Sequence, residues 1–315
     1  MTLKINKLSK RYHNNWVLRD ISFEAKKGEI LGIIGENSCG KSTLLRLING
    51  TEKPNSGEIS FGDDKTLATS FISNNSSKNW KDIFSKSLPI SESEHQQTLF
   101  YEELEKNNPI LLIDNAFSNI DPFNKAKLFS KFKNFVKENN LIAILATNIE
   151  EEIFSLCDQV VVLSDGYVAQ TETPREVYEK PNSVASARAL GRCNLIVSRR
   201  ITFTNDYILE FQTLVGDHQL LLDKAPKAAL GAITNNVSLA IRPEHISISF
   251  GASFPEDNLL KAQIVGIEYF GATTRLQLNA NGLMLEALVL RLVGLNIGDE
   301  CMVGLPPDRI RVLKS

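Results

Sequence analysis

The sequence predicts an α/β unit with a mostly parallel sheet, followed by a smaller all-β unit. Apolar runs alternate with helical patterns over residues 1–190, which is typical of a parallel sheet with helices between its strands. From residue 191 the pattern changes to short alternating strands separated by turn signals. A chain of 315 residues is long enough for two such domains. We therefore expect domain ranges of 1–190 and 191–315.

The composition indicates a globular protein without a nucleic-acid partner. The formal net charge is −2, and 43% hydrophobic residues is ordinary for a globular chain. The first residues lack the apolar core of a signal peptide, and no apolar run approaches the length of a membrane span. The four cysteines have neither metal-site nor disulfide spacing, so we expect a reducing, cytoplasmic compartment.

A phosphate-binding loop is the most specific motif in the chain. It matches the P-loop pattern G-x-x-x-x-G-K-[ST] and lies between an apolar strand and a helical pattern, as the motif requires. Its residues are Gly35, Glu36, Asn37, Ser38, Cys39, Gly40, Lys41, Ser42 and Thr43. The two glycines allow backbone N–H groups to turn toward a phosphate, and the helix start adds partial positive charge. In this motif Lys41 reaches the β- and γ-phosphates, and the Ser42 hydroxyl binds Mg²⁺.

The other elements follow from local patterns. Apolar runs predict strands in the α/β unit at 3–10, 17–23, 30–34, 109–114 and 141–147. Asp121 and Pro122 are an N-cap and a first helical residue, so we expect a helix from there to about Lys137. The turn Ser164-Asp165-Gly166 predicts a hairpin of residues 159–163 and 167–170. Later patterns predict a helix within 173–181 and strands at 239–242, 262–267, 274–278 and 283–288.

Several stretches resemble the ATP-binding subunits of ABC transporters. They are Tyr12, the segment KKGEILGIIGENSCGKSTLLRLING with KPNSGEI after it, and the apolar strand ending at Asp114, which resembles Walker B. Arg242-Pro243-Glu244 resembles the RPE signature of the TOBE domain, a small OB-like β-barrel of importers for ferric iron, polyamines, inorganic anions and sugars. The resemblance implies a P-loop NTPase cassette with a mostly parallel sheet, followed by an all-β TOBE-like domain.

The resemblance also implies ligands, partners and a location. The chain would bind ATP and Mg²⁺, with Tyr12 stacked on adenine and Asp114 holding Mg²⁺ through its water shell. Its partners would be a second ABC ATPase subunit, identical or not, and an inner-membrane permease. It would then lie at the cytoplasmic face of the plasma membrane as a peripheral subunit, with solute specificity determined by the binding protein and the permease.

Two departures from the family lie between Lys41 and Asp114. This interval is short, which predicts a truncated helical subdomain at about 66–100, and residues 70–87 have the composition of a loop. Ile72 replaces the glutamine that senses γ-phosphate. In the signature LSGGQ only the serine is kept, as Ser91, and Glu92 and Ser93 replace both glycines. A carboxylate there would repel a polyanion by about 4 kcal/mol near 4 Å at an effective dielectric of about 20.

Two further departures concern hydrolysis. Asn115 follows Asp114 where the family has the catalytic glutamate, and Asn148 follows Thr147 where it has the switch histidine. An amide cannot accept a proton, and loss of a general base typically costs about 10²–10⁴ in rate. Asn115 and Asn148 are therefore degenerate catalytic positions, while the residues that bind nucleotide are intact. We expect weak or absent hydrolysis.

These observations leave several functions open. The interpretation we favour is an importer ATP-binding subunit that binds MgATP and supports transport. The alternative is a non-hydrolysing, nucleotide-sensing regulatory pseudo-ATPase that is not coupled to a permease. Less favoured are a remnant that keeps the loop only for folding, and an active NTPase that recruits another base such as Glu150.

Overall fold

The computed structural model of the chain describes residues 2–62, 68–73, 108–117, 120, 122–205, 208–223, 235–251, 258–290 and 294–313. Its contacts divide the chain into two compact units, Met1–Glu179 and Lys180–Ser315. Among the residues described, no helix has the length and apolar character needed to cross a membrane.

The first unit combines strands and helices. Its described strands are β1 (Thr2–Tyr12), β2 (Asn15–Lys26), β3 (Ile30–Gly35), β4 (Ser56–Phe61), β5 (Thr69–Ser73), β6 (Ile110–Asp114), β7 (Ile142–Ala146), β8 (Gln159–Ser164) and β9 (Tyr167–Glu172). Its described helices are α1 (Lys41–Ile48), α2 (Pro122–Glu138), α3 (Glu150–Leu156) and α4 (Pro174–Glu179). The strand and helix patterns predicted for this part of the sequence correspond to these elements within a few residues.

The main sheet of the first unit has the strand order β5-β6-β7-β3-β8-β9. Strands β5, β6, β7, β3 and β8 pair in parallel, whereas β9 is antiparallel to β8 and forms the predicted hairpin with it. β7 is buried along its whole length, and β6 is buried from Ile110 to Ile113, as expected for strands inside a parallel sheet. The predicted mostly parallel sheet is confirmed.

A smaller antiparallel sheet, in the order β2-β1-β4, shares its core with the main sheet. Leu3 and Ile5 on β1 alternate with exposed residues, so one face of this sheet is buried. Their side chains belong to the same apolar cluster as Leu44 and Leu45 of α1 and Ile33 of β3. This packing fixes the position of α1 directly after the P-loop.

The loop predicted for residues 70–87 is wrong at its start. Thr69–Ser73 form β5, which pairs in parallel with β6 from Thr69 opposite Ile110 to Ser73 opposite Asp114. Ser70 and Ile72 are buried there, and the Asn108 side chain donates to Ser70 Oγ at 3.0 Å. Pairing with β6 therefore overrides the loop-like composition. Residues 74–107 lie outside the described residues, and they hold most of the predicted truncated subdomain together with Ser91, Glu92 and Ser93. Asp121, the predicted N-cap, also lies outside them.

A polar cluster joins the segment after α1 to β1. The Glu52 carboxylate accepts hydrogen bonds from the Tyr12 hydroxyl and pairs with Lys10 Nζ at 3.3 Å and Arg46 Nε at 2.8 Å. Burial alone would raise the pKa of the Glu52 carboxyl, but the hydrogen bonds from Tyr12 and Lys10 and the charge of Arg46 together lower that pKa. The ionised carboxylate therefore stabilises this cluster.

The second unit is mainly β. Helix α5 (Val184–Ala189) comes first, and the described strands are β10 (Asn194–Asn205), β11 (Ile208–Thr213), β12 (Gln219–Leu222), β13 (Asn236–Ile241), β14 (Ser247–Ser249), β15 (Asn258–Tyr269), β16 (Thr273–Ala280), β17 (Leu283–Leu290), β18 (Glu300–Leu305) and β19 (Arg311–Leu313). The two sheets have the orders β12-β11-β10-β13-β19 and β14-β18-β15-β16-β17. Buried residues from both sheets, such as Phe211 and Ile264, form one apolar core. The predicted all-β character of this region is confirmed.

Arg242 clamps the segment that follows α5. Its guanidinium is buried, and Nη1 donates to the carbonyls of Ala187, Gly191 and Arg192 at 2.9, 3.2 and 3.0 Å. Ala187 lies in the last turn of α5, where carbonyls have no partner within the helix. The arginine of the RPE stretch therefore satisfies carbonyls at a helix end and fixes the entry into β10.

We expect Arg242→Ala to lower the free energy of unfolding of the second unit by about 3 kcal/mol, because three carbonyls lose a charged donor. Urea denaturation of the full chain, followed by circular dichroism, measures this loss. Arg199→Ala is the control, since its exposed guanidinium bonds only Gln212 among the described residues, and it should cost less than about 0.5 kcal/mol. Equal losses for the two variants would contradict the clamp.

The Glu52 cluster predicts a dependence of stability on pH. A carboxyl whose folded pKa lies below its ordinary value of 4.5 stabilises the fold above that value, and the contribution disappears as pH falls through the folded pKa. Wild type should therefore lose more free energy of unfolding than Glu52→Gln between pH 5 and pH 3, and no such difference should develop between pH 7 and pH 5. Urea titrations at each pH measure both slopes, and parallel slopes throughout would exclude this role of Glu52.

Candidate functional site

The candidate site lies where three parallel strands of the main sheet end. The order β6-β7-β3 places the carboxyl ends of these strands next to one another, which is where open α/β sheets bind ligands. The P-loop follows β3, Asn115 follows β6, and Thr147 with Asn148 follows β7. The fold therefore brings together residues from three separate parts of the sequence.

A pocket of about 340 Å³ opens at this edge. It is lined by Val17, Asn37, Ser38, Gly40, Lys41, Ser42, Thr43, Asn115 and Asn148. Five P-loop side chains, one P-loop glycine and the two asparagines Asn115 and Asn148 thus share one cavity. Val17 on β2 was not predicted from the sequence, where it is one apolar position in an alternating strand, and only the packing of β2 beside the P-loop identifies it.

Two glycines permit the path of the P-loop. Gly40 has a φ of +107°, and a Cβ there would lie 2.6 Å from Leu18 Cδ2. A Cβ on Gly35 would lie 2.1 Å from the carbonyl oxygen of Leu163 on β8. Because neither position has room for a side chain, only glycine allows the loop to pack against β2 and β8 in this way, and α1 begins directly after Gly40. The predicted role of these glycines in turning N–H groups toward a phosphate stays a prediction.

Lys41 supplies a buried positive charge to the pocket. Its side chain is 7% exposed, and Nζ donates to the carbonyls of Gly35 at 2.8 Å and Glu36 at 3.0 Å and lies 3.7 Å from Cys39 Sγ. No carboxylate among the described residues pairs with this ammonium. A buried cation held by carbonyls alone is suited to an anionic ligand, so the residues present fit a bound phosphate.

Of the two residues predicted to hold Mg²⁺, one lines the same pocket, whereas Asp114 directly precedes Asn115 and is not among the lining residues. Ser42 lines the pocket, and its hydroxyl has no hydrogen-bond partner among the described residues. Asp114 ends β6 and accepts a hydrogen bond at Oδ1 from Asn115 Nδ2 at 3.1 Å. Hydroxyl and carboxylate oxygens are hard ligands, and Mg²⁺ is commonly held by one or two protein groups together with phosphate oxygens. The donor set therefore fits a magnesium nucleotide.

Asparagines stand at the two positions predicted to have lost their catalytic side chains, 115 and 148. Asn115 has a φ of +52°, and its backbone N–H donates to the carbonyl of Ala146 at 2.9 Å, across the ends of β6 and β7. Asn148 Nδ2 donates to Oδ1 of Asn37 in the P-loop at 2.6 Å. Glu150, the alternative base, is exposed at the start of α3 and is not one of the residues that line the pocket.

Tyr12 lies outside the lining of the phosphate pocket. Its hydroxyl donates to Glu52, and Lys10 Nζ lies 5.1 Å from its ring centroid. About a third of its surface is exposed. Cys39 in the P-loop is buried and is not among the residues that line the pocket.

Comparisons with known proteins match both units. The family model of the ABC transporter matches residues 18–159, and the TOBE domain model matches residues 239–313. The molybdate/tungstate import ATP-binding protein of Pyrococcus horikoshii is 30% identical over 98% of this chain and 99% of its own length. The Fe(3+) ions import ATP-binding protein of Haemophilus influenzae is 26% identical over 96% of this chain and 95% of its own length. The spermidine/putrescine import ATP-binding protein of Spiroplasma citri is 26% identical over 85% of this chain and 86% of its own length.

The matches agree with the site and the fold described above. The first matched region contains the P-loop, Asp114 and the residues that follow β7, and the second contains the arginine clamp. The first of these relatives is matched along nearly its whole length. The chain therefore belongs to the ABC transporter family, among the ATP-binding subunits that carry a C-terminal TOBE domain.

Proposed function

We propose that this chain is the ATP-binding subunit of an ABC importer that binds MgATP through its P-loop and hydrolyses it weakly or not at all. One observation carries the proposal. The buried Lys41 ammonium and the P-loop keep a phosphate-binding arrangement, while amides at Asn115 and Asn148 line the same pocket. The pocket would therefore bind nucleotide without a side chain that accepts a proton from the attacking water.

Binding is assigned to residues whose arrangement suits a polyphosphate. Lys41 offers its charge, and the P-loop offers N–H groups at the start of α1. Ser42 and Asp114 would hold Mg²⁺, which when bound supplies positive charge to the phosphates. Tyr12, which is about a third exposed, would stack on the adenine ring. These roles are assigned to the residues singled out from the sequence.

Weak hydrolysis follows from the chemistry of the two amides. A carboxylate after Asp114 would accept a proton from an attacking water, whereas the Asn115 amide cannot. Its Nδ2 also donates a hydrogen bond to Oδ1 of Asp114. Asn148 has no imidazole and is held by Asn37. Loss of a general base alone typically costs about 10²–10⁴ in rate.

The proposed partners follow from the family. ATP-binding subunits of ABC importers act as pairs on a permease, so we assign a second ATP-binding subunit, identical or not, and an inner-membrane permease. The chain would then work at the cytoplasmic face of the plasma membrane. The named solutes of three relatives are molybdate or tungstate, Fe(3+) ions, and spermidine or putrescine, and these are the solutes to test first.

The first test is nucleotide binding. Calorimetry should detect MgATP binding to the wild-type chain, and Lys41→Ala should weaken it about tenfold or more, because a buried charged donor to phosphate is lost. Lys137→Ala, which removes an exposed lysine at the end of α2, is the matched control and should bind as wild type does. A wild-type chain that binds no MgATP would overturn the proposal.

The second test is turnover. Phosphate release by the purified chain should stay at the level of the Lys41→Ala variant, since the pocket has lost its proton acceptor. Vanadate-sensitive release well above that level would contradict the assignment of weak hydrolysis. Co-purification with a permease supports the transport role, whereas MgATP binding by a chain that never associates with membranes would support the regulatory alternative.

A further inference from the structure

A polar network joins Tyr12, the candidate base-stacking residue, to the helix that follows the P-loop. The Tyr12 hydroxyl donates to the Glu52 carboxylate, and Arg46 Nε of α1 lies 2.8 Å from the same carboxylate. Arg46 Nη2 also donates to Oγ1 of Thr43 at 3.3 Å, and Thr43 lines the phosphate pocket. Side-chain contacts are therefore continuous from the aromatic ring to the edge of the pocket.

The Tyr12 side chain lies at an irregular end of its strand. Tyr12 is the last residue of β1, and about a third of its surface is exposed. The pairing of β1 with β2 shifts register between Leu8 and Lys10 and again between Lys10 and Arg11. Such irregularities turn side chains away from the directions of a regular ladder. Contacts outside the strand pairing are therefore needed to orient the tyrosine ring.

Those contacts come from Glu52 and Lys10. Oε2 of Glu52 accepts from the Tyr12 hydroxyl and lies 3.3 Å from Lys10 Nζ. The same ammonium lies over the tyrosine ring, 5.1 Å from its centroid, and donates to the carbonyl of Lys53 at 2.8 Å. The Glu52 and Lys10 side chains are 22% and 14% exposed, so solvent screens their attraction less than that of an open surface pair. The ring is thus held at its hydroxyl and on one face.

We propose that Glu52 is a positioning residue for Tyr12, and that it strengthens the preference of the site for a nucleoside triphosphate over inorganic tripolyphosphate. The inference rests on the proposed nucleotide binding and on the assignment of Tyr12 to the base. Arg46 ties Glu52 to α1, so the ring is placed relative to the P-loop as well as to β1. A ring fixed beforehand loses less conformational freedom when a base stacks on it, so stacking contributes more to affinity.

A ratio of two dissociation constants measures this effect. Calorimetry gives the constants of MgATP and of magnesium tripolyphosphate for each variant, and their ratio reports the preference for the nucleotide. Glu52→Ala should reduce this preference about three- to tenfold, the cost of ordering one side chain on binding. Tyr12→Phe keeps the ring and removes the hydroxyl, so it should reduce the preference by a similar factor. Because Tyr12→Phe changes no charge, an electrostatic effect of Glu52 on the phosphates does not imitate this result.

A double-mutant cycle tests whether Glu52 acts through Tyr12. Tyr12→Ala removes the ring, so Glu52→Ala should change the ratio no further in that background. Arg46→Ala should reduce the preference, since Glu52 then loses its tie to α1. Glu24→Ala is the matched control, because this exposed glutamate on β2 pairs only with Lys4 among the described residues, and it should keep the wild-type ratio. A ratio of affinities is insensitive to the fraction of folded protein, so a loss of stability in any variant cancels.

The outcomes separate the inference from the function on which it rests. If wild type binds neither ligand, the proposed function fails and this inference fails with it. If wild type binds MgATP but Tyr12→Ala keeps the wild-type ratio, nucleotide binding stands, the base does not lie on Tyr12, and the inference is overturned. If Tyr12→Ala lowers the preference while Glu52→Ala and Tyr12→Phe keep it, stacking stands and the positioning role of Glu52 is excluded.

Discussion

The parallel pairing of β6, β7 and β3 is the constraint on which the site depends. Leu112 of β6 and Leu31 of β3 both pair with Ile144 of β7, so the three strands are in register across the sheet. Because these strands run in the same direction, the residues that follow them emerge at one edge. The pocket therefore results from backbone register and apolar burial, and few direct contacts between its polar side chains are needed to assemble it.

Two buried lysines in the first unit have opposite roles. Lys125 is paired with Glu152, so its charge is neutralised within the protein and contributes to the positions of its neighbours. Lys41 is held by carbonyl oxygens, which orient the ammonium without cancelling its charge. A protein tolerates such an uncompensated charge at a cost in stability. That cost is understandable if a phosphate group completes the pairing.

Local patterns in the sequence were sufficient for the P-loop, the strand ending at Asp114, the β8–β9 hairpin and the change to an all-β second unit. These features depend on the conformations of neighbouring residues, so short stretches encode them. The contribution of Val17, the ion pair of Lys125 with Glu152, and the strand Thr69–Ser73 were not predicted. Each depends on which strand lies beside which, and sheet order is not encoded in any one segment. The polar composition of Thr69–Ser73 even favours a loop, and its pairing with β6 decides the outcome.

The left-handed backbone conformation of Asn115 limits which side chains suit the turn after β6. Asparagine adopts a positive φ more readily than most residues, as Asn115 does here. For most other L-residues the left-handed conformation costs about 1–2 kcal/mol. A glutamate introduced at this position would therefore have to adopt a left-handed backbone conformation, and part of any gain from its carboxylate would be offset by a loss of folding stability. A variant designed to place a carboxylate here would need changes in the turn after β6 as well as in the side chain.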